Sequence, residues 1–521
     1  MAIPADKLAA SLEALETLQQ KGITAIRSAD LSRPHRERLL GAGFLKEVMK
    51  GWYIASRPDE PAGESTAWYT SFWDFMAQYL ATRFEENWSL SPEQSLILHS
   101  GNRAVPPQLL VRAPSARNRA TNFPHGTSVF EVRASIATGE DVVIIGDLRL
   151  FSIETALITV SESFFESHPT DARAVLANIP DASGLLAKLL DGGHTRAAGR
   201  LAGAFRNIGK PRIADDILAA MKSALHDVRE KDPFQTQVKM TDSERPVSPY
   251  VSRLQIMWQN MRGDIIDRLP DARPAPNDID VYLKAVEAVY VTDAYHSLSI
   301  EGYRVSRELI ERVRSGAWNP EANKEDREHS NALAARGYWQ AHQSVKRTIR
   351  KVLEGANPGK AVDEDLPEWY RELFIPSVTA GIIDAAQLAG YRNGPVYIRR
   401  SRHVPLHVEA VRDAMPAFIE LLKAEDNYAA RIVLGHFIFV YIHPYSDGNG
   451  RIARFLMNVM MAAAGLPWTV IRLEHRDAYM AALETASVEG DIKPFTDLIA
   501  RILTETLAET DQATEQNERL S

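Results

Sequence analysis

The chain has 521 residues, 45% hydrophobic and 25% charged, a balance that excludes wholesale disorder, a coiled coil or a collagen-like chain and predicts about three domains. With 60 Lys plus Arg against 68 Asp plus Glu, the net charge of -8 excludes a globally basic nucleic-acid coat and leaves room for a local basic patch. The absence of cysteine removes disulfides, thiolate metal sites and cysteine nucleophiles together.

The N-terminal MAIPADKLAASLEAL has no basic flank ahead of an apolar run, so it does not read as a signal peptide. The most apolar stretch, Ile432 to Ile442, contains His436 and falls far short of the ~20 residues that cross a bilayer. The expectation is a soluble cytoplasmic protein with no membrane partner.

Leu8, Leu12, Leu15 and Leu18 recur at helical spacing before Gly22, predicting an opening amphipathic helix. A very short helix, Arg27 to Leu31, and a third over Ser32 to Gly41 are expected next. Two strand-like runs, Phe44–Val48 and Gly51–Ile54, then predict a hairpin. Helix, helix, helix, hairpin is the order of a winged helix-turn-helix. Residues 1–57 carry nine Lys plus Arg against six Asp plus Glu, a balance of +3. Arg33, Arg36 and Arg38 are the candidate contacts to duplex DNA.

GITAIRSADL followed by GAGFLKEVMKGWYIAS resembles the winged-helix start of the AbiEi-type antitoxins. LILHSGNRAVPPQLLVRAP and LRLFSIETALITVSE resemble that family's second, mixed α/β domain. The boundaries expected are a winged helix over 1–57, a mixed domain over 58–230, a charged linker over 231–249, a helical domain over 250–505 and a polar tail over 506–521. Within the helical domain, apolar residues at i, i+3 and i+4 predict helices over 250–268, 279–300, 303–314, 325–354, 407–423, 427–442, 449–464 and 474–488. A short hairpin is expected at 395–401.

HPYSDGNGRIAR, residues 443–454, lies between two strongly apolar helical segments. Gly448 and Gly450 free the backbone to turn its N–H groups inward where a helix starts, an arrangement that binds phosphate. Arg451 and Arg454, three apart on the first turn, add planar donors for successive phosphates, and Asn449 adds a neutral one. Asp447 would repel phosphate unless a divalent cation lay between them, which implies Mg²⁺. His443 is the nearby group whose ordinary pKa suits proton abstraction near neutral pH.

These residues resemble the Fic family signature HxFx(D/E)GNGRxxR, with Tyr445 in place of the usual Phe, and the similarity extends over about residues 250–505. The resemblance implies an all-α Fic core with a β-hairpin flap, so that the whole chain is expected to be multidomain and mainly α. It also implies transfer of AMP from ATP to a Ser, Thr or Tyr hydroxyl of a target protein, with release of pyrophosphate. His443 would deprotonate the hydroxyl, Asp447 would hold Mg²⁺, and Gly448, Asn449, Gly450 and Arg451 would cradle the α- and β-phosphates. Arg454 would take the γ-phosphate, and the edge at Val396, Tyr397 and Ile398 would add a strand to the target segment.

Ser297-Leu-Ser-Ile-Glu301-Gly302 resembles the family's inhibitory motif, (S/T)xxxE(G/N), in the subclass where it precedes the catalytic motif. Glu301 would compete with the γ-phosphate for Arg454. The expected activity is therefore an autoinhibited protein adenylyltransferase, with the protein itself among its expected targets. The alternatives are a Fic enzyme that transfers phosphate or removes AMP, and an ATP-sensing DNA-binding regulator of toxin–antitoxin type.

Overall fold

The computed structural model describes residues 5–59, 63–234, 248–316 and 330–520. The chain divides into two units: Met1–Arg253 with Tyr397–Val404, and Leu254–Val396 with Pro405–Ser521. The expected 231–249 linker falls mainly on residues 235–247, outside the described residues. Its first residues are packed rather than free, because Phe234 is buried under the Arg173 guanidinium at 4.2 Å.

The first unit opens with the helix Ala5–Gln20, whose Leu15 and Leu18 join Leu31, Leu39, Leu45 and Tyr53 in a small core. The helix expected over Arg27–Leu31 does not form. Ile26–Arg27 is a short strand paired with Trp52–Tyr53, and Asp30 turns back to accept the Arg27 N–H at 2.7 Å. That local side-chain bond offers the backbone an alternative to helix. Two helices, Ala5–Gln20 and Arg33–Gly41, therefore precede the hairpin Leu45–Met49 and Trp52–Ala55, instead of the expected three.

The helix Thr66–Phe84 follows, with Trp68, Phe72, Phe75 and Leu80 buried. It covers a mixed sheet of order Ser89–Leu90, Gln108–Ala113, Ser128–Arg133, Arg119–Asn122, in which only the middle pair is parallel. Helices from Ile153–Thr159 to Pro211–Ser223 complete the unit around an apolar cluster that includes Phe165, Leu201 and Ile217.

Among the described residues every strand lies between Ile26 and Phe151, so the hairpin expected at 395–401 is absent. Its backbone groups bond elsewhere: the Ser401 N–H closes a turn on the Ile398 carbonyl at 3.1 Å, and the Arg400 N–H meets Thr66 Oγ1 at 3.2 Å. Arg400 sits at φ 62°, outside strand conformation.

The second unit is helical. The predicted segments appear as Pro249–Arg262, Ile279–Ile300, Arg307–Arg314, Ser330–Leu353, Val408–Ala424, Tyr428–Ile442, Asn449–Ala463 and Arg476–Val488. Two further helices are Pro358–Thr379 and Lys493–Leu520, the latter running through the expected polar tail. Ile499, Ile502 and Leu503 bury the start of this last helix, and Arg273 pairs twice with Asp511 at 2.8 and 2.9 Å further along. Tyr428–Ile442 is apolar on all sides and buried nearly throughout, as a helix at the centre of a bundle must be. No helix among the described residues is long and apolar enough to cross a membrane.

Candidate active site

The segment 443–448 joins the central helix Tyr428–Ile442 to the helix Asn449–Ala463 through two left-handed residues, His443 at φ 54° and Gly448 at φ 84°. A left-handed residue other than glycine costs roughly 1–2 kcal/mol, so the His443 conformation needs support. Its N–H donates to the Phe439 carbonyl at 3.0 Å, and its own carbonyl accepts from Arg392 Nε at 2.8 Å. The buried Arg392 also donates to the carbonyls of Gly394, at 3.2 Å, and Leu406.

His443 Nδ1 lies 3.1 Å from the Val440 carbonyl. A carbonyl only accepts, so the neutral ring carries its proton on Nδ1 and leaves the Nε2 lone pair for an incoming proton. Desolvation pushes the imidazole pKa down to about 4 against the Val440 bond, with the Arg392 charge acting in the same direction as burial. The half-buried ring is thus a neutral acceptor at physiological pH.

Asn449 does not present its side chain to a ligand. Its Oδ1 accepts the Tyr445 N–H at 3.0 Å and its Nδ2 donates to the Tyr445 carbonyl at 2.8 Å, closing the loop into a ring. The expected neutral donor is a loop clamp. The Tyr445 ring stacks on Tyr370 at 3.8 Å. At the helix start the N–H groups of Asn449, Gly450 and Arg451 have no intrahelical acceptor.

Asp447 is 61% exposed; its Oδ2 accepts from Arg451 Nη2 at 2.9 Å and its Oδ1 from the Gly448 N–H at 2.6 Å. The buried Arg451 guanidinium lies between the rings of Phe374 and Tyr303, at 5.1 and 5.3 Å. No group of three or more metal-binding side chains occurs among the described residues. Asp447 is a lone carboxylate beside a helix N-terminus, which suits a cation shared with phosphate oxygens rather than an all-protein cage.

Arg454 is buried, with Nε donating to Ser297 Oγ at 2.8 Å and Nη2 to both the Ser297 carbonyl, at 3.1 Å, and Glu301 Oε1, at 2.6 Å. Burial works against its charge, and the Glu301 field outweighs it, raising the pKa. Its Nη1 has no hydrogen-bond partner among the described residues and lies beside Gly450. A buried guanidinium with an unused donor fits an oxygen-rich anion. A Cβ on Gly450 would come within 2.4 Å of Glu301 Oε1, so the carboxylate already occupies the space over the first helical turn. Gly302, at φ 92°, follows the helix Ile279–Ile300 and leaves Glu301 at its C-cap.

The structure therefore brings together Ser297, Glu301, His443, Asp447, Gly448, Gly450, Arg451 and Arg454 in the second unit. Val396 belongs to that unit, whereas Tyr397 and Ile398 pack with the first. Arg33, Arg36 and Arg38 lie on the helix Arg33–Gly41, where Arg33 pairs with Glu37 at 2.7 Å and Arg36 donates to the Ser28 carbonyl at 2.8 Å.

Sequence reasoning missed Arg392, Phe374 and a buried pair behind Ser297, where the Tyr338 hydroxyl donates to Asp293 Oδ2 at 2.6 Å. Burial lifts the Asp293 carboxyl to about 6, against that bond and the nearby Arg454 charge. Asp293 lies four residues before Ser297 on one helix, a spacing that marks a shared face.

Residues 364–461 match the Fic/DOC family profile. Over 251 residues, 47% of each chain, the protein is 30% identical to "Protein adenylyltransferase Fic" of Culex quinquefasciatus. It is 31% identical over 235 residues to the protein of the same name in Nematostella vectensis, covering 43% of this chain and 49% of that one. The chain spans about half the length of the curated relatives it matches. Among solved structures, Fic-1 from C. elegans superposes with a TM-score of 0.36 and 18% identity, over 68% of this chain and 94% of that chain.

Proposed function

We propose that the protein is an autoinhibited protein adenylyltransferase that moves AMP from ATP to a side-chain hydroxyl of a protein target. The carrying observation is the juxtaposition of two features: a His443 ring whose tautomer leaves Nε2 unprotonated, and a glycine-freed helix start flanked by two buried arginines. Proteins named adenylyltransferase among the relatives support the same reading.

In this mechanism Nε2 of His443 takes the proton of the target hydroxyl while its oxygen attacks the α-phosphorus. The new oxygen–phosphorus bond forms as the bond from the α-phosphorus to the bridging oxygen breaks, and pyrophosphate leaves with that electron pair. The N–H groups of Gly450 and Arg451 hold the phosphates, Arg451 and Arg454 balance their charge, and Asn449 keeps the loop in shape from behind. Asp447 would hold Mg²⁺ together with phosphate oxygens, and the cation would neutralise charge on the leaving pyrophosphate.

Val396, Tyr397 and Ile398 are the residues that would dock the target segment and so orient its hydroxyl. Glu301 on Arg454 keeps the γ-phosphate from its place, so the resting protein is restrained.

The test is intact mass after incubation of the full chain with ATP and Mg²⁺, together with labelling from α-labelled ATP. Addition of AMP supports the proposal, whereas addition of phosphate alone or mere binding overturns it. His443→Ala is expected to cut labelling by about 100-fold or more while ATP still binds, since the base is lost and the phosphate donors remain.

A further inference from the structure

The helix Ile279–Ile300 ends on contacts from two different arginines. The Leu298 carbonyl accepts the Tyr303 N–H at 3.1 Å and the Ser299 carbonyl accepts the Gly302 N–H at 3.0 Å, both from the chain that follows the helix. The next carbonyl, that of Ile300, accepts instead from Arg476 Nε at 3.0 Å. The Ser297 carbonyl accepts from Arg454 Nη2 at 3.1 Å. The last carbonyls of a helix lack intrahelical donors, and a cation placed there also meets the negative end of the helix dipole.

Arg476 reaches the Ile300 carbonyl from a fixed base. It opens the helix Arg476–Val488, in which Tyr479, Ala482 and Leu483 are buried, and the Tyr479 hydroxyl lies 2.8 Å from His436 Nε2. One turn before Ile300, His296 Nδ1 accepts the Leu473 N–H at 3.0 Å, so the segment leading into Arg476 is bonded to the same helix. The exposed Asp477 carboxylate approaches Arg476 Nη1 to 3.4 Å, a longer contact than the one to Ile300. Ile300 is fully buried, so losing the Arg476 donor leaves its carbonyl short of a partner. All of these residues lie in the second unit. The two arginines differ in what competes for them: the γ-phosphate would take Arg454, but it has no part in the bond from Arg476 to the residue before Glu301.

We propose that Arg476 is a positioning residue for the restraint on ATP: by capping the Ile300 carbonyl it fixes the helix end from which Glu301 reaches Arg454. This inference rests on the autoinhibition proposed above. Arg476 acts through the backbone at 300–301, and its effect is specific to the third phosphate, because Glu301 engages the arginine assigned to that group.

The test uses the full chain with and without Glu301→Gly. ATP and ADP affinities are measured with Mg²⁺ by calorimetry in the presence of His443→Ala, which stops turnover, and labelling from α-labelled ATP is measured with His443 intact. Where Glu301 is retained, Arg476→Ala is expected to tighten ATP about fivefold, the order of one lost hydrogen bond, and to leave ADP within about twofold. Labelling at subsaturating ATP should rise by a similar factor. Where Glu301 is replaced by Gly, Arg476→Ala should change neither affinity nor labelling by more than about twofold, because the carboxylate it positions is gone. Arg476→Lys keeps a cation in reach of the carbonyl and should retain most of the restraint.

Amide exchange at Gly302 and Tyr303 should quicken in the Arg476→Ala chain. Quickened exchange without a change in ATP preference would reduce Arg476 to a helix cap and overturn the proposal, as would an equal gain for ATP and ADP or a gain that persists beside Glu301→Gly. Should Arg476→Ala fail to fold, Arg476→Met keeps the aliphatic stem without the donor and carries the same measurements. If the Glu301→Gly chain takes no label, the adenylyltransferase reading has failed and the affinities alone decide: a gain for ATP over ADP supports the positioning role, and its absence overturns it. If neither nucleotide binds, there is no restraint to position and the proposal falls.

Discussion

The proton inventory of His443 sets how the protein should respond to pH. Its Nδ1–H is committed to Val440, and burial lowers the ring pKa to about 4. A base with the ordinary value near 6.5 would lose roughly three-quarters of its neutral form at pH 6. Labelling at saturating ATP is therefore expected to stay flat from pH 8 to pH 6, and a fourfold fall over that interval would show that the ring is not held as described. For stability the sign runs the same way. The folded ring binds fewer protons than the unfolded one between about 4 and 6.5, so its contribution is full above 6.5 and is lost as pH falls through that window. The residue scale also shows where pattern reading stops. The composition of HPYSDGNGRIAR predicts an anion cradle, but the use of Asn449 as a clamp on Tyr445 depends on a backbone curl that spacing does not encode.

Among helices, Ile279–Ile300 and Asn449–Ala463 meet through one guanidinium. Replacing Glu301 by Gly removes a charge-assisted bond of roughly 1.5–3 kcal/mol, which predicts a rise in labelling of about ten- to a hundredfold. Glu301→Gly with Arg454→Ala should lose most of that gain, measured in the same assay, because the released donor is gone. A Glu301→Gly protein less active than the parent would point instead to Glu301 orienting a water for AMP removal.

Both of those helices were legible from apolar spacing and a terminal glycine or loop. Pro358–Thr379 was not, because Pro367 and Pro376 lie inside it, and each interior proline costs about 3 kcal/mol in an isolated helix. Burial of Trp369, Tyr370, Leu373 and Phe374 on one stripe outweighs that cost. This helix delivers Phe374 to Arg451 and to within 3.0 Å of where a Cβ on Gly448 would stand. Phe374→Ala is expected to destabilise the second unit by about 3–5 kcal/mol and to weaken ATP binding, read by urea unfolding and by nucleotide titration. Unchanged values in both would remove the ring as a support of the cradle.

For the whole molecule, the sequence separated a helical, catalytic C-terminal half from a mixed N-terminal half, because helical periodicity persists beyond residue 250 and strand-like runs cluster before 150. It could not show that eight residues of the second half complete the first, since a partnership between Glu64 and Arg399, 335 positions apart, leaves no periodic trace. That separation has a consequence for biogenesis. A chain made from its N-terminus outward presents Glu64 long before its partners Arg399 and Arg400, so until they emerge the nascent N-terminal unit is expected to keep that carboxylate hydrated instead of buried. The helix bearing His443 is made only afterwards, and Asn449 later still. The order of synthesis thus makes closure of the N-terminal unit available before the loop 443–448 exists, and places assembly of the Glu301–Arg454 pair among the last long-range events, when the final donor leaves the ribosome.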